Sequence, residues 1–409
     1  MKIGYVLLDG CGDRPHPKLN YTTPLEAAYT PHLDGIASAS RLGRVTTVGR
    51  GISPESDIAV FNMLGYSFDE GYPGRGVVEA VGAGLRFRDG EMALRANLAT
   101  VKGRRIVDRR AGRNLTQAES TRLARELNEI TLDGAEMEYR STVSYRGVLV
   151  IRAKGRLSAS VSNTDPAYAR IGGFGAAKKT TKEERILDCE PETADGAART
   201  AASLVNEFTR KSLKVLGGSE VNRERVSEGR LPANCVLLRD AGDHLPRVAS
   251  FGERYGVKGT AIVEMPAEVG IAKLLGMKMV SAQDRNDMKA KAALFGRELR
   301  DGTVVYVHIK GPDEFGHDGD VVGKKKCIEA IDREFFSVAA EKLEGEQLGV
   351  SCDHATPCTI KMHASDPVPL LITTDRRPDR LRFTERNARE GSLGSMRGRD
   401  VLARVKSGR

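Results

Sequence analysis

A chain of 409 residues with 40% hydrophobic and 29% charged side chains has the length for a large core and the composition of an ordinary globular protein. No apolar run approaches the ~20 residues needed to cross a bilayer, and six cysteines without a C-x-x-C pair exclude a zinc knuckle or a thioredoxin-like site and leave reduced thiols as the default. The net charge of +9 could draw nucleic acid, but Arg104-Arg105, Asp108-Arg109-Arg110 and Arg376-Arg377 have no interleaved aromatics and the chain has no Trp; an anionic small substrate fits equally well, and a solvated basic surface outweighs nucleic-acid binding.

In chain order, Ile3 to Leu8 is a continuous apolar run that ends in Asp9-Gly10. It opens the chain as a strand rather than as a signal peptide, so a cytoplasmic protein is expected. Pro54 and Ser56-Asp57 precede a helical run that ends at Gly65. From about Gly76 to Gly229 the pattern changes to strand-like stretches between Glu136 and Arg152, with helices near Thr121 to Ile130 and Ala194 to Thr209. This stretch is rich in Arg and poor in buried parallel-strand runs, so it reads as an inserted α+β domain. Val304 to Ile309 leads into Lys310-Gly311-Pro312-Asp313, and Leu348 to Cys352 leads into Asp353-His354. Runs of this kind suit parallel strands buried on both faces. Ile328, Ile331, Phe335 and Val338 between them mark one face of a helix, giving a right-handed strand–helix–strand crossover.

Four of the seven histidines fall between His308 and His363, and three of the four sit beside acids. Asp313 and His317 stand four apart around a Gly-Pro break, Asp353-His354 ends a strand, and His363 precedes the apolar run Val368 to Ile372. Each group alone fits a helix cap or a surface imidazole. Together, just past the ends of parallel strands, they favour one or two divalent cations on mixed nitrogen and oxygen ligands. Asp9 is as good a turn cap as a ligand. Ser56 reads as an N-cap, and a serine at a helix N-terminus beside a metal is also well placed to attack phosphorus.

The segments LLDGCGDRP at 7–15, TPLEAAYTPHLDGIA at 23–37, PESDIAVFNMLGY at 54–66, GRGVVEA at 74–80 and DRRAGR at 108–113 carry a family resemblance. So do NTDP at 163–166, ANCVLLRDAG at 233–242, HIKGPDEFGHDGD at 308–320, CDHATPC at 352–358 and HASDPVPLLI at 363–372. With them the chain resembles the cofactor-independent phosphoglycerate mutases of archaeal type, within the alkaline-phosphatase superfamily. Two positions depart from that pattern: Glu55 stands where Gly usually precedes the serine, and no Gly-Ala-Thr-Gly segment follows Met277 to Val280.

The resemblance implies an α/β fold, an alkaline-phosphatase-like mostly parallel sheet flanked by helices with the α+β insertion. Residues 1–75 and 230–409 would form the metal-binding domain and 76–229 the substrate-binding cap. It implies one divalent cation on Asp9, Ser56, Asp353 and His354 and a second on Asp313, His317 and His363, with Ser56 as the nucleophile. Mn2+ is the first expectation, ahead of Zn2+, Co2+ or Mg2+, with no requirement for 2,3-bisphosphoglycerate. Arg109, Arg110, Arg113, Arg146, Asp165, Arg239 and Lys310 are the candidates for gripping the carboxylate and phosphate of phosphoglycerate. The implied activity is the interconversion of 3- and 2-phosphoglycerate. A metal-dependent phosphohydrolase or another phosphomutase of the superfamily is the enzymatic alternative, and a basic RNA-binding module the non-enzymatic one. Neither a nucleic-acid nor a membrane partner is expected, and homo-oligomerisation is left open.

Overall fold

The computed structural model describes residues 2–67, 71–171, 174–177, 184–282, 284, 286–342, 345–374 and 377–408. Arg376 of the basic stretches and two residues following Val280 lie outside them. The chain divides into two compact units, residues 1–71 with 247–409 and residues 72–246. The first contributes β1 (Lys2–Leu8) and β2 (Ser40–Thr46). The second holds β3 (Met92–Lys102), β4 (Arg105–Asp108), β5 (Ala135–Ser141), β6 (Arg146–Ala153), β7 (Tyr168–Ile171), β8 (Phe174–Ala177) and β9 (Cys235–Gly242). The chain then returns with β10 (Lys258–Ile262), β11 (Lys278–Val280), β12 (Thr303–Ile309), β13 (Gln347–Cys352), β14 (Val368–Thr373) and β15 (Gly394–Arg397).

In the first unit eight strands form one sheet in the order β11-β10-β12-β1-β13-β14-β2-β15. Among them β14 alone runs against its neighbours, so the sheet is mostly parallel, as the apolar runs require. Every residue of β12 is buried, as are Ile3 to Leu8 of β1. β1 lies between β12 and β13, with Leu8 level with both Ile309 and Cys352. Asp9, Lys310 and Asp353 therefore leave the sheet side by side at its carboxyl edge, where parallel sheets bind ligands.

The helix predicted between β12 and β13 runs from Val321 to Ile331, continues through one wider π turn at Asp332–Phe336 and ends at Ser337–Lys342. Ile328, Ile331 and Phe335 are buried as their spacing predicts. The π turn inserts an extra residue and rotates the face, so Phe336 and Ala339 are buried while Val338 is only partly covered.

In the second unit β3, β4, β5, β6 and β9 form an antiparallel sheet with β3 between β6 and β9. The helices Gln117–Leu127 and Gly196–Gly217 match the two predicted ones and contribute Leu123, Leu127, Val205 and Phe208 to its core. The boundaries placed at 75 and 230 need correction. β9 pairs with β3, which carries residues up to 246 into this unit. The helix Arg75–Gly82 presses its first turn onto the same two strands: a Cβ at Gly76 would lie 2.3 Å from Ala93 O and 2.7 Å from Asp240 O. No helix among the described residues is long and apolar enough to cross a membrane.

Candidate metal centre

Every expected metal-ligand position falls within the first unit and at one edge of its sheet. Asp9 follows β1 directly, and its N–H donates to Ile309 O of β12 at 2.9 Å. Gly10 turns the chain at φ +56, and a Cβ there would lie 2.5 Å from Asp313 Oδ1 and 2.7 Å from Thr356 Oγ1. Only glycine lets this loop approach so closely. Its N–H donates to Asp353 Oδ1 at 3.0 Å, and His354 N–H donates to the same oxygen at 2.8 Å.

Asp313 and His317 lie one turn apart on the helix Pro312–Asp318, whose N-cap is Gly311 rather than Asp313. His317 Nε2 is 3.4 Å from Asp313 Oδ2, and His363 Nε2 is 3.5 Å from Asp313 Oδ1. The two Nε2 atoms are 3.2 Å apart. Each ring is oriented from behind: His317 Nδ1 donates to Lys361 O at 3.1 Å and His363 Nδ1 to Pro54 O at 2.8 Å. Both Nδ1 atoms therefore carry protons, and two Nε2 lone pairs converge on one carboxylate. Lone pairs that close repel unless positive charge lies between them, as a proton or as a cation. The backbone carbonyls behind them are what holds metal-ligating imidazoles in position.

The second group centres on His354, which stacks on His363 with ring centroids 3.9 Å apart. Its Nδ1 lies 3.1 Å from Thr356 Oγ1, whose hydroxyl donates to Asp313 Oδ1 at 2.6 Å. With the threonine proton committed to Asp313, His354 Nδ1–H must be the donor, leaving the Nε2 lone pair for Ser56 Oγ at 3.0 Å. The same Nε2 is 3.3 Å from Asp353 Oδ2 and 3.6 Å from Asp9 Oδ1. Ser56 is the first residue of the helix Ser56–Met63 and Glu55 occupies its N-cap, so the N-cap reading of Ser56 gives way to a hydroxyl aimed at His354. A cation at ~2.1 Å from tetrahedral donors sets them about 3.4 Å apart. The separations of 3.0 to 3.6 Å in both groups fit that spacing.

Charge in the site is unevenly held. Burial raises Asp9 to about 7, with Lys310 opposing the rise. Burial would also raise Asp353 and Asp313, yet both lie well below the usual carboxylate range. His354 and then His308 hold Asp353 down, and hydrogen bonds from His317 and His363 hold Asp313 down. Burial lowers His354 to about 4 and keeps it neutral. Burial opposes protonation of His363 as well, but the Asp313 hydrogen bond and the nearby Glu55 raise it to about 10. His317 is raised too, first by its bond to Asp313.

Sequence reasoning missed several neighbours. Thr356, inside CDHATPC, fixes the His354 tautomer. His308 and Glu268 line the Asp9–Asp353 side: Lys310 Nζ lies 2.6 Å from Glu268 Oε1 and 3.1 Å from Asp9 Oδ2, pointing into the site and not into solvent. Beneath the loops, the fully buried Lys324 Nζ reaches Asp13 Oδ2 at 2.8 Å, Thr356 O at 2.9 Å and Gly12 O at 3.2 Å. It clamps the loop after Asp9 to the loop after His354. Replacing Lys324 with Met strands the Asp13 carboxylate, and chemical denaturation should read a loss of about 3–5 kcal/mol; a loss under ~1 kcal/mol would contradict this account.

The expected substrate residues other than Lys310 lie in the second unit. Arg109 Nη1 bonds Asp165 Oδ1 at 2.7 Å and Arg109 also pairs with Glu184. Arg239 is buried, with its guanidinium 3.5 Å from the centroid of Tyr168. Arg146 stands 5.6 Å from the ring of Tyr145. Arg110 precedes the turn Ala111–Arg113 and Arg113 ends it, Arg110 partly buried and Arg113 exposed. Arg95, absent from the sequence-based set, is buried on β3 with its Nε 3.2 Å from Glu79 Oε1.

A family model described as 2,3-bisphosphoglycerate-independent phosphoglycerate mutase matches residues 37–222. The protein so named from Aeropyrum pernix is 41% identical, with 97% of each chain covered. Its namesake from Methanopyrus kandleri is 38% identical over 98% of this chain and 94% of its own. Among solved structures, the cofactor-independent phosphoglycerate mutase from Thermoplasma acidophilum aligns over 100% of both chains with a TM-score of 0.64 and 30% identity. A protein from Pyrococcus horikoshii aligns over 99% of this chain and 96% of its own, with a TM-score of 0.81 and 29% identity.

Proposed function

The chain belongs to the 2,3-bisphosphoglycerate-independent phosphoglycerate mutase family, and on that premise we propose how it interconverts 3-phosphoglycerate and 2-phosphoglycerate: through a phosphoserine at Ser56 beside two divalent cations. The observation that carries this reading is the convergence of outward-facing imidazole lone pairs and carboxylates on two adjacent points, with the Ser56 hydroxyl at one of them. Asp9, Ser56, Asp353 and His354 would hold one cation, and Asp313, His317 and His363 the other. Bound there, two cations would supply positive charge to the attacking and leaving oxygens of a phosphoryl group.

The residues themselves account for the remaining steps. Ser56 Oγ is the nucleophile; with His354 Nε2 engaged on the cation they would share, the hydroxyl would give up its proton to solvent rather than to that nitrogen. The first-turn N–H groups of the helix Ser56–Met63 face the phosphate. Lys310 adds charge beside Asp9. Arg109, Arg146 and Arg239 of the second unit would grip the glycerate carboxylate and phosphate, with Asp165 orienting Arg109; Arg110 and Arg113 belong to the same proposal through their segment. The glycerate must stay bound while it turns, because water reaching phosphoserine would hydrolyse it. Mixed His, Asp and Ser donors suit Mn2+ first, with Zn2+, Co2+ and Mg2+ as competitors.

The test is an enolase-coupled assay on metal-stripped protein without 2,3-bisphosphoglycerate, restoring each cation in turn, followed by quenching and phosphopeptide mapping. Turnover that returns with a divalent cation, and phosphate on the Ser56 peptide, are expected. Inorganic phosphate as the main product, or 2-phosphoglycerate formed with Ser56 never labelled, would overturn the proposal.

A further inference from the structure

His308 is not among the seven ligand positions expected from the sequence, yet it sits against two of them. It is 1% exposed, on β12 beside Leu7. Its Nε2 is 3.3 Å from Asp353 Oδ2 and 3.9 Å from Asp9 Oδ1, and its Nδ1 is 3.2 Å from Glu268 Oε1. His308 Nε2, Asp9 Oδ1 and Asp353 Oδ2 are all buried without a well-directed hydrogen-bond partner. Ligand atoms of these three residues lie within 4.8 Å of one another. A buried polar atom without a partner costs about 1–3 kcal/mol, so three around one point call for a charged occupant.

We propose that His308 is a further ligand of the cation held by Asp9 and Asp353, and that Glu268 is its positioning residue. The proposal rests on the two-cation reading of the site and extends it. Glu268 comes from the helix Pro266–Leu274 and is 2% exposed. Its Oε1 lies 3.2 Å from His308 Nδ1, close enough to favour the proton on that nitrogen and leave Nε2 facing Asp9 and Asp353; a carboxylate behind an imidazole is the usual outer support of a metal-binding histidine. The Lys310 ammonium, 2.6 Å from that same oxygen, keeps Glu268 ionised. His308 and His354 both bring Nε2 to 3.3 Å from Asp353 Oδ2, so this cation would have two imidazoles, two carboxylates and the Ser56 hydroxyl. Two nitrogens bias the site toward Mn2+, Co2+ or Zn2+ and against Mg2+, which prefers oxygen.

The experiment measures Mn2+ stoichiometry and affinity by calorimetry, and thermal stability with and without Mn2+, in wild type, His308→Gln and Glu268→Gln. Wild type should bind two Mn2+ per chain; binding none would mean the two-cation reading itself has failed. His308→Gln should lose affinity at one site by roughly 100-fold or more while retaining the other, and Glu268→Gln should lose about 10–100-fold at the same site. Mn2+ should raise the melting temperature of both variants by less than it raises that of wild type. Two wild-type affinities in His308→Gln would overturn the assignment. So would an equal loss of stability with and without Mn2+, the signature of a structural histidine. If His308→Gln does not fold, Glu268→Gln decides alone on the same two readouts.

Discussion

Replacing Ser56 with alanine should reduce mutase turnover by roughly 10^4-fold or more, the scale on which loss of a nucleophile acts, with the fold and at least one bound cation retained. The hydroxyl lies at the start of a helix whose residues 57–63 are all buried, so removing one oxygen leaves the packing of that helix untouched. Glu55 occupies the N-cap, so the substitution removes no cap. What disappears is the oxygen 3.0 Å from His354 Nε2, the group that the proposed mechanism uses to accept a phosphoryl unit. The cluster of Asp313, His317 and His363 does not use Ser56, so its cation should bind as in wild type. Enolase-coupled turnover measures the first effect, and circular dichroism with metal analysis measures the second. Turnover within tenfold of wild type would remove Ser56 from the mechanism, and a variant without bound metal would show that the hydroxyl is chiefly structural.

The parts of the site visible in the sequence are those that sit where buried strands stop. Asp9, Asp313 and Asp353 each follow an apolar run of a parallel strand, so the pattern that locates the strand also locates the acid. β9 shows where that logic fails. Cys235 to Leu238 are all buried, and a continuous apolar run reads as a strand of the parallel sheet. Yet Val236 and Leu238 face one core and Cys235 and Leu237 another, so an antiparallel strand covered on both sides carries the same signature. A boundary at 230 therefore parts β9 from β3, the strand it pairs with. Glu268 left no trace in the sequence, because a buried carboxylate on a short helix looks like a surface one until its partners are known. His308 was visible as a histidine but had no acid beside it in the chain; its acids arrive from β1, from β13 and from the helix Pro266–Leu274.

Cation affinity should rise about tenfold per pH unit between pH 6.5 and 8.5, and more steeply if His317 and His363 both release protons. Burial opposes charging His363, but the Asp313 hydrogen bond and Glu55 raise it to about 10, so the metal-free ring carries both protons throughout this window. To ligate, Nε2 must lose its proton while Nδ1 keeps the one donated to Pro54 O. One proton leaving per cation gives a factor of ten per unit at this site. At the other site Asp9, raised by burial to about 7, would release its proton, as would His308, which burial lowers but Asp353 and Glu268 raise to about 9. The stability consequence has a fixed sign. A histidine raised from its unfolded value of ~6.5 stabilises the metal-free fold fully below that pH and ceases to do so as pH climbs through about 10. Asp313 and Asp353, held low, and His354, held at about 4, do not change charge in this range. The metal-free protein should therefore lose stability as pH rises from 6.5 to 8.5 while the cation-loaded protein holds, and the gap between their melting temperatures should widen. Calorimetric titration of Mn2+ in two buffers of different ionisation heat counts the protons released. Proton release near zero with a flat affinity profile would mean that the imidazoles are already deprotonated, and that something other than Asp313 and the cation decides the charge of this site.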